Sequence, residues 1–252
     1  FAMTDCGDCY EPGVGIHPDY ASDVLEQERG HYRFGQRAIG MTDLVSGCPR
    51  ASAIKHDVEY AVDPLAVNAP LTGTAWHKYV EMAADSKDVE VKVSGLVGGS
   101  EVITSVDRLR MERGLIEDWK TGSDFRAKYD KLNGPKPEWI AQLSLGAELV
   151  EQTLKWRPAR GTIWAKYASG VGLYPMPATL IPLADILRFK PWQGDSSTAD
   201  HLKWMERWRQ NEVPWSDMPL FGESQHTTKE GVNCDNCVVR NICFEAAGKA
   251  MF

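Results

Sequence analysis

At 252 residues, with 43% hydrophobic and 25% charged residues, the chain has room for one substantial core and is too short for two full-sized domains with linkers. No apolar run nears the roughly 20 residues that span a bilayer, and no basic segment followed by an apolar stretch opens the sequence, so no membrane association and a cytoplasmic location are expected. A net charge of −7 excludes a protein that coats nucleic acid through a broadly basic surface, because phosphate neutralisation needs clustered Lys and Arg.

Residues 1–40 are rich in Gly, Pro, Asp and isolated charge, and read as an N-terminal arm ahead of one domain over 41–252. From Thr74, the residues Trp76, Tyr79, Val80 and Ala83 follow helical spacing, and the helix is expected to end before Asp88. Val89–Val93, Val102–Val106 and Leu115–Trp119 are short apolar or β-branched runs separated by Gly-containing turns, which predicts an antiparallel meander. Residues 108–136 carry eight Lys/Arg against five acids, a local basic excess in an acidic chain. After Gly134, Pro135 and Pro137, a helical face recurs at Ile140, Leu143, Ala147 and Val150, followed by a strand near Gly161–Tyr167. Ala199, Leu202, Met205 and Trp208 mark a further amphipathic helix.

Within Leu115-Ile116-Glu117-Asp118-Trp119-Lys120-Thr121-Gly122, strand alternation puts Ile116, Asp118 and Lys120 on one face, with Glu117 and Trp119 on the other. Asp107 ends the preceding strand, and a turn at Gly114 would bring it beside Asp118. Two carboxylates next to one ammonium suit phosphodiester hydrolysis: hard oxygen ligands for Mg²⁺ or Mn²⁺, and a cation to position the attacking water.

Val106-Asp107-Arg108-Leu109 followed by Ile116-Glu117-Asp118-Trp119-Lys120-Thr121-Gly122 resembles the paired metal-binding motifs of RecB-like PD-(D/E)XK nucleases. Gly73-Thr74-Ala75-Trp76-His77 resembles the histidine helix of that family, and Gln142 its glutamine helix. The resemblance implies an α/β restriction-endonuclease-like core with a mixed, mostly antiparallel sheet flanked by helices. It further implies His77, Asp107 and Asp118 as metal ligands, and Lys120, Asp107, Asp118 and Gln142 as catalytic residues. One departure is Gly146, where the family commonly has a tyrosine.

Six cysteines in a reducing compartment argue for metal or cluster ligation before disulfides. Cys234-x2-Cys237-x5-Cys243 gathers three thiols in one turn-rich stretch, and Cys48-Pro49-Arg50 resembles the N-terminal cluster cysteine of iron–sulfur nucleases such as the CRISPR-associated RecB-like exonucleases and the AddB nuclease domain. That resemblance implies a C-terminal segment joined to Cys48 by a 4Fe–4S cluster. It also implies exonuclease action on single-stranded or frayed duplex DNA ends, with other DNA repair or CRISPR adaptation proteins as partners. Two alternatives stand beside it: a zinc ribbon built from Cys6-x2-Cys9 and Cys234-x2-Cys237, and a non-catalytic DNA-binding or assembly module that keeps the fold.

Overall fold

The computed structural model describes residues 38–45, 48–58, 73, 75–82, 88–122, 124–167, 173–191, 196–219, 237 and 239–246. The expected arm lies outside them apart from its last three residues, as do Cys6, Cys9 and Cys234.

Two glycines set the register on which the site depends. Gly98 and Gly99 have φ of +56° and +91°, which residues bearing a Cβ seldom adopt, and join β2 (Val89–Val97) to β3 (Ser100–Arg110) through a two-residue turn. Val97 therefore pairs with Ser100, and the antiparallel register runs back to Val89 opposite Arg108. Gly114, also left-handed, leads into β4 (Leu115–Gly122), which pairs antiparallel with the end of β3. The three strands form the expected meander, each extended beyond its apolar centre by polar residues that continue the ladder.

Ile39–Gly40 form β1, parallel to Val102 and Ile103 of β3, so the end of the predicted arm belongs to the sheet. Beyond it lie α1 (Met41–Val45) and α2 (Pro49–Asp57), with Pro49 at a first-turn position where its missing N–H costs nothing. A helix described over 75–82, α3, carries His77. β5 (Arg160–Tyr167) is parallel to β4 and needs a crossover, which α4 (Asp124–Asn133) and α5 (Pro137–Leu154) supply. α4 was not anticipated, and its Tyr129 and Leu132, although helically spaced, are exposed rather than buried. β6 (Leu173–Ala178) pairs antiparallel with β5 and closes the order β1-β3-β4-β5-β6, with β2 on the other side of β3. The protein is thus α/β, with a mixed six-stranded sheet flanked by helices.

α5 lies close against the sheet. A Cβ on Gly146 would sit 3.5–3.7 Å from Ile116, Met41 and Val106, so a tyrosine ring here would run into the core. Its C-terminal end protects the exposed edge of β2: Gln152 accepts from Leu96 N–H and donates to its carbonyl, and Thr153 does the same for Ser94. Those side chains occupy backbone groups that would otherwise template another strand. The opposite edge, β6, carries Pro175 and Pro177, which serve the same end.

α6 (Leu183–Arg188) and α7 (Thr198–Arg209) complete the layer, α7 starting in a Ser197/Asp200 capping box and burying Leu202, Met205 and Trp208 in the main core. A second, small apolar cluster joins Ala51 and Ile54 of α2 to Val239, just ahead of α8 (Arg240–Ala246). Among the described residues no helix is long and apolar enough to cross a membrane.

Candidate metal centre

Counting along the β2/β3 register from the glycine turn places Glu90 opposite Asp107, and the β3/β4 register places Asp107 opposite Asp118. Neither position is a ladder pair: the β2/β3 ladder skips Glu90–Asp107, and the β3/β4 ladder stops at Arg108–Glu117. The sheet therefore opens along a row of three acids. Asp107 fills the gap with its own side chain, accepting a 2.5 Å hydrogen bond from Trp119 N–H. Glu90 has φ of +49°, a strained setting for a side-chain-bearing residue, and the bend turns its carboxylate toward His77.

His77 reaches this row from α3. Its Nε2 lies 2.9 Å from the Trp119 carbonyl, which can only accept, so Nε2 carries a proton and Nδ1 faces the acids. Nδ1 is 3.6 Å from Glu90 and 3.7 Å from Asp107. One ligand atom from each of His77, Glu90 and Asp107 falls within 4.8 Å of the others, close enough to share one cation. Burial alone would lower the His77 pKa, but the hydrogen bond with Glu90, the Asp107 charge and the Trp119 carbonyl outweigh it and raise the group above its usual value.

Asp118 lies on the same face of the sheet as Asp107 and is 7% exposed. Its Oδ1 accepts from Lys120 Nζ at 2.9 Å, while Oδ2 is buried and accepts no hydrogen bond. Lys120 Nζ also donates to Gln142 Oε1 at 3.1 Å, so α5 and β4 hold the ammonium between them. Burial, and then the Asp118 charge, push Asp107 up to about 7, against the opposing pull of Lys120 and His77. A row of crowded acids, one with an orphaned buried oxygen, has the electrostatic character of a site that fits a divalent cation.

All five residues expected from the sequence, His77, Asp107, Asp118, Lys120 and Gln142, gather on this one face. Glu90 was not foreseen. The signal for it was present: a two-residue Gly98-Gly99 turn fixes the β2/β3 register, and counting eight residues back from Gly98 lands opposite Asp107.

At the other end of the molecule, Cys48, Cys237 and Cys243 all pack against the small Ala51–Ile54–Val239 cluster. Cys48 occupies the N-cap position of α2 and is half-buried, as are the other two. Arg50 is 4% exposed and binds these segments together, donating to the Met218 carbonyl at 2.9 Å and to the Cys243 carbonyl at 3.3 Å. It makes no ion pair among the described residues, and its Nε is buried with no hydrogen-bond partner. Cys48, Cys237 and Cys243 do not bring their thiols within 4.8 Å of one another as His77, Glu90 and Asp107 bring their ligand atoms, so no cysteine ligand set is assembled among the described residues. Cys234, expected from the sequence to join them, lies outside the described residues.

No family model and no curated protein matches this chain. Among solved structures, one described as "Crystal structure of SSO0001" is similar, with a TM-score of 0.50 and 15% identity over 92% of this chain and 95% of that one. At that identity the likeness shows a shared fold along nearly the whole chain and carries no chemistry with it.

Proposed function

We propose that this protein is a metal-dependent DNA nuclease of the RecB-like PD-(D/E)XK class, an exonuclease on single-stranded or frayed ends, with a structural 4Fe–4S cluster. The observation that carries the reading is the Asp118–Lys120–Gln142 arrangement beside the Glu90–Asp107–His77 group: ligands for a hard cation and a held ammonium, on one face. His77, Asp107 and Asp118 would hold Mg²⁺ or Mn²⁺, with Glu90 as a further oxygen donor. When bound, the ion would polarise the phosphate and lower the pKa of an attacking water. Lys120 keeps its ammonium between Asp118 and Gln142, where it can hold a water or a phosphate oxygen without reorganisation. Asp107 must lose its proton before it can ligate. Cys48, Cys237 and Cys243, with Cys234, would hold the cluster and clamp α2 to the C-terminal segment, shortening the loops available to the unfolded chain.

The test is anaerobic digestion of end-labelled single- and double-stranded DNA with Mn²⁺ or Mg²⁺, comparing wild type with Lys120→Ala and recording the visible absorbance of each protein beforehand. Brown protein that cuts DNA, and loses cutting in Lys120→Ala, is the expected result. Brown protein that binds DNA without cutting would replace this reading with the binding module, and colourless active protein would favour zinc.

A further inference from the structure

The basic stretch that follows β4 is built around aromatic rings. On α4, the Arg126 guanidinium lies 4.4 Å from the Tyr129 ring centroid and 5.7 Å from that of Trp139, at the start of α5. Lys136 Nζ stands 5.3 Å from the same Trp139 ring, and Lys131 Nζ 5.8 Å from Tyr174 of β6. Two lysines and an arginine thus interleave with three rings on one ledge. The acids in this stretch are mostly turned inward: Asp130 is 1% exposed and takes the Tyr167 hydroxyl at 2.9 Å and an ion pair from Arg126, and Glu138 is buried. Lys128 and Lys131 face water, with Asp124 as the exposed acid beside them. Tyr129 is half exposed and Leu132 almost fully so.

The ledge adjoins the lysine. A Cβ on Gly122, two residues after Lys120, would lie 3.8 Å from Arg126 Cγ. Trp139 precedes Gln142 by three positions on α5, so it shares a helix side with the residue that receives the Lys120 ammonium. Burial and then the Arg126 charge lower the Lys136 pKa, the crowding of two cations that a phosphate between them would relieve.

We propose that the α4 ledge, with Tyr129 and Trp139 as stacking platforms and Lys128, Lys131 and Lys136 as phosphate contacts, is the track along which an unpaired nucleic-acid strand reaches Lys120. It deepens the nuclease reading and rests on it for direction. Duplex DNA presents no base faces to these rings, whereas a single strand presents one per nucleotide, so the ledge selects unpaired strand. Rings next to cations suit a stacked base with its flanking phosphate. That places the local positive charge of an acidic protein where the backbone would run.

The experiment is fluorescence anisotropy in EDTA with a fluorescein-labelled oligothymidylate of about 20 nucleotides, longer than the roughly 4 to 16 that one single-strand site covers. Tyr129→Ala should weaken binding about 5- to 100-fold, the range for loss of one base–aromatic stack, and Tyr129→Phe, which keeps the ring, should bind as wild type. Lys128→Gln and Lys131→Gln should each lower the slope of log affinity against log salt by about 0.7. Equal binding by Tyr129→Ala and wild type overturns the proposal, as does binding of duplex of the same length as tightly as of the single strand. Because no metal is present, the result is independent of cleavage. Tyr129-dependent binding without cutting would sink the nuclease reading alone, and cutting with a neutral Tyr129→Ala would sink the ledge alone.

Discussion

Glu117 and Asp118 are consecutive acids on one strand, both almost fully buried, and they are treated in opposite ways. Glu117 points to the face away from α5, where Oε2 accepts from Arg110 at 2.9 Å, Oε1 accepts from Trp164 Nε1 at 3.0 Å, and Arg108 stands at 3.7 Å. Each carboxylate oxygen that burial strips of water there has a protein donor. Asp118, on the other face, has one ammonium and one orphaned oxygen, with a second carboxylate across the strand and a third beyond it. The first arrangement lowers the energy of the fold, and the second raises it. A buried acid whose partners are complete is a structural device; one whose partners are other acids is waiting for a cation.

The sharpest way to break this contrast is to remove a residue from each face and read two quantities. Lys120→Ala should cut nuclease turnover by about 10²–10³-fold or more, the scale for losing one preorganised electrostatic group, while leaving the melting temperature within a few degrees of wild type. Glu117→Ala should do the converse. Its loss strands Arg110 and Trp164, and because the guanidiniums are still about a quarter exposed, the cost should be roughly 2–4 kcal/mol, less than for a fully enclosed pair. For a chain of this size that lowers the melting temperature by about 5–15 °C in differential scanning fluorimetry. If Glu117→Ala melts like wild type, the network on that face is not structural.

A smaller effect concerns protons. With Asp107 lifted to about 7, the folded protein holds a proton that the unfolded chain releases near the ordinary aspartate value. The stability this proton adds is fully present below about pH 4 and is lost as pH rises through about 7. A cation competes for the same oxygens, so Mn²⁺ affinity should climb by up to about tenfold per pH unit below about 7, and more steeply where His77 must also release its raised proton. Above that it should level off. Isothermal titration calorimetry at several pH values checks it, and a flat profile from pH 5 to 8 would remove Asp107 from the ligand set.

Much of this face was legible in the sequence, for reasons that can be named. Alternation along β4 puts Asp118 and Lys120 together because a strand has a period of two, whatever its neighbours. Gln142 sits on a strongly periodic helix whose apolar face packs on the sheet, whereas α3 buries none of its described residues, Tyr79 and Met82 being largely exposed, and His77 was expected from the resemblance of its motif. Glu90 was hidden because its position depends on pairing, which no single strand encodes, and because its left-handed backbone breaks the alternation that would have been counted. Glu117 was hidden for another reason: its partners Arg110 and Trp164 come from strands on either side, one of them 47 residues away. α4 was missed although Phe125, Tyr129 and Leu132 have helical spacing, because they are interleaved with charged residues. The role of Arg50 was out of reach as well, since nothing in the local sequence marks it as a buried cation that donates to the Met218 and Cys243 carbonyls.

The smallest predicted effect is the most discriminating. Asp118→Asn keeps Oδ1 as an acceptor for Lys120 and removes the charge that helps hold Asp107 up. In metal-free protein the substitution should therefore leave stability unchanged or raise it, by less than about 1 kcal/mol, although Asp118 is as buried as a core residue. The same variant should lose metal-dependent cutting. Chemical denaturation in EDTA measures the first and the digestion assay the second. A large loss of stability in Asp118→Asn would mean that the orphaned oxygen has a structural partner, and the distinction between the two faces of β4 would collapse. No loss of stability, with cutting abolished, would mean that the strand carries a cost on one face which the network on the other offsets.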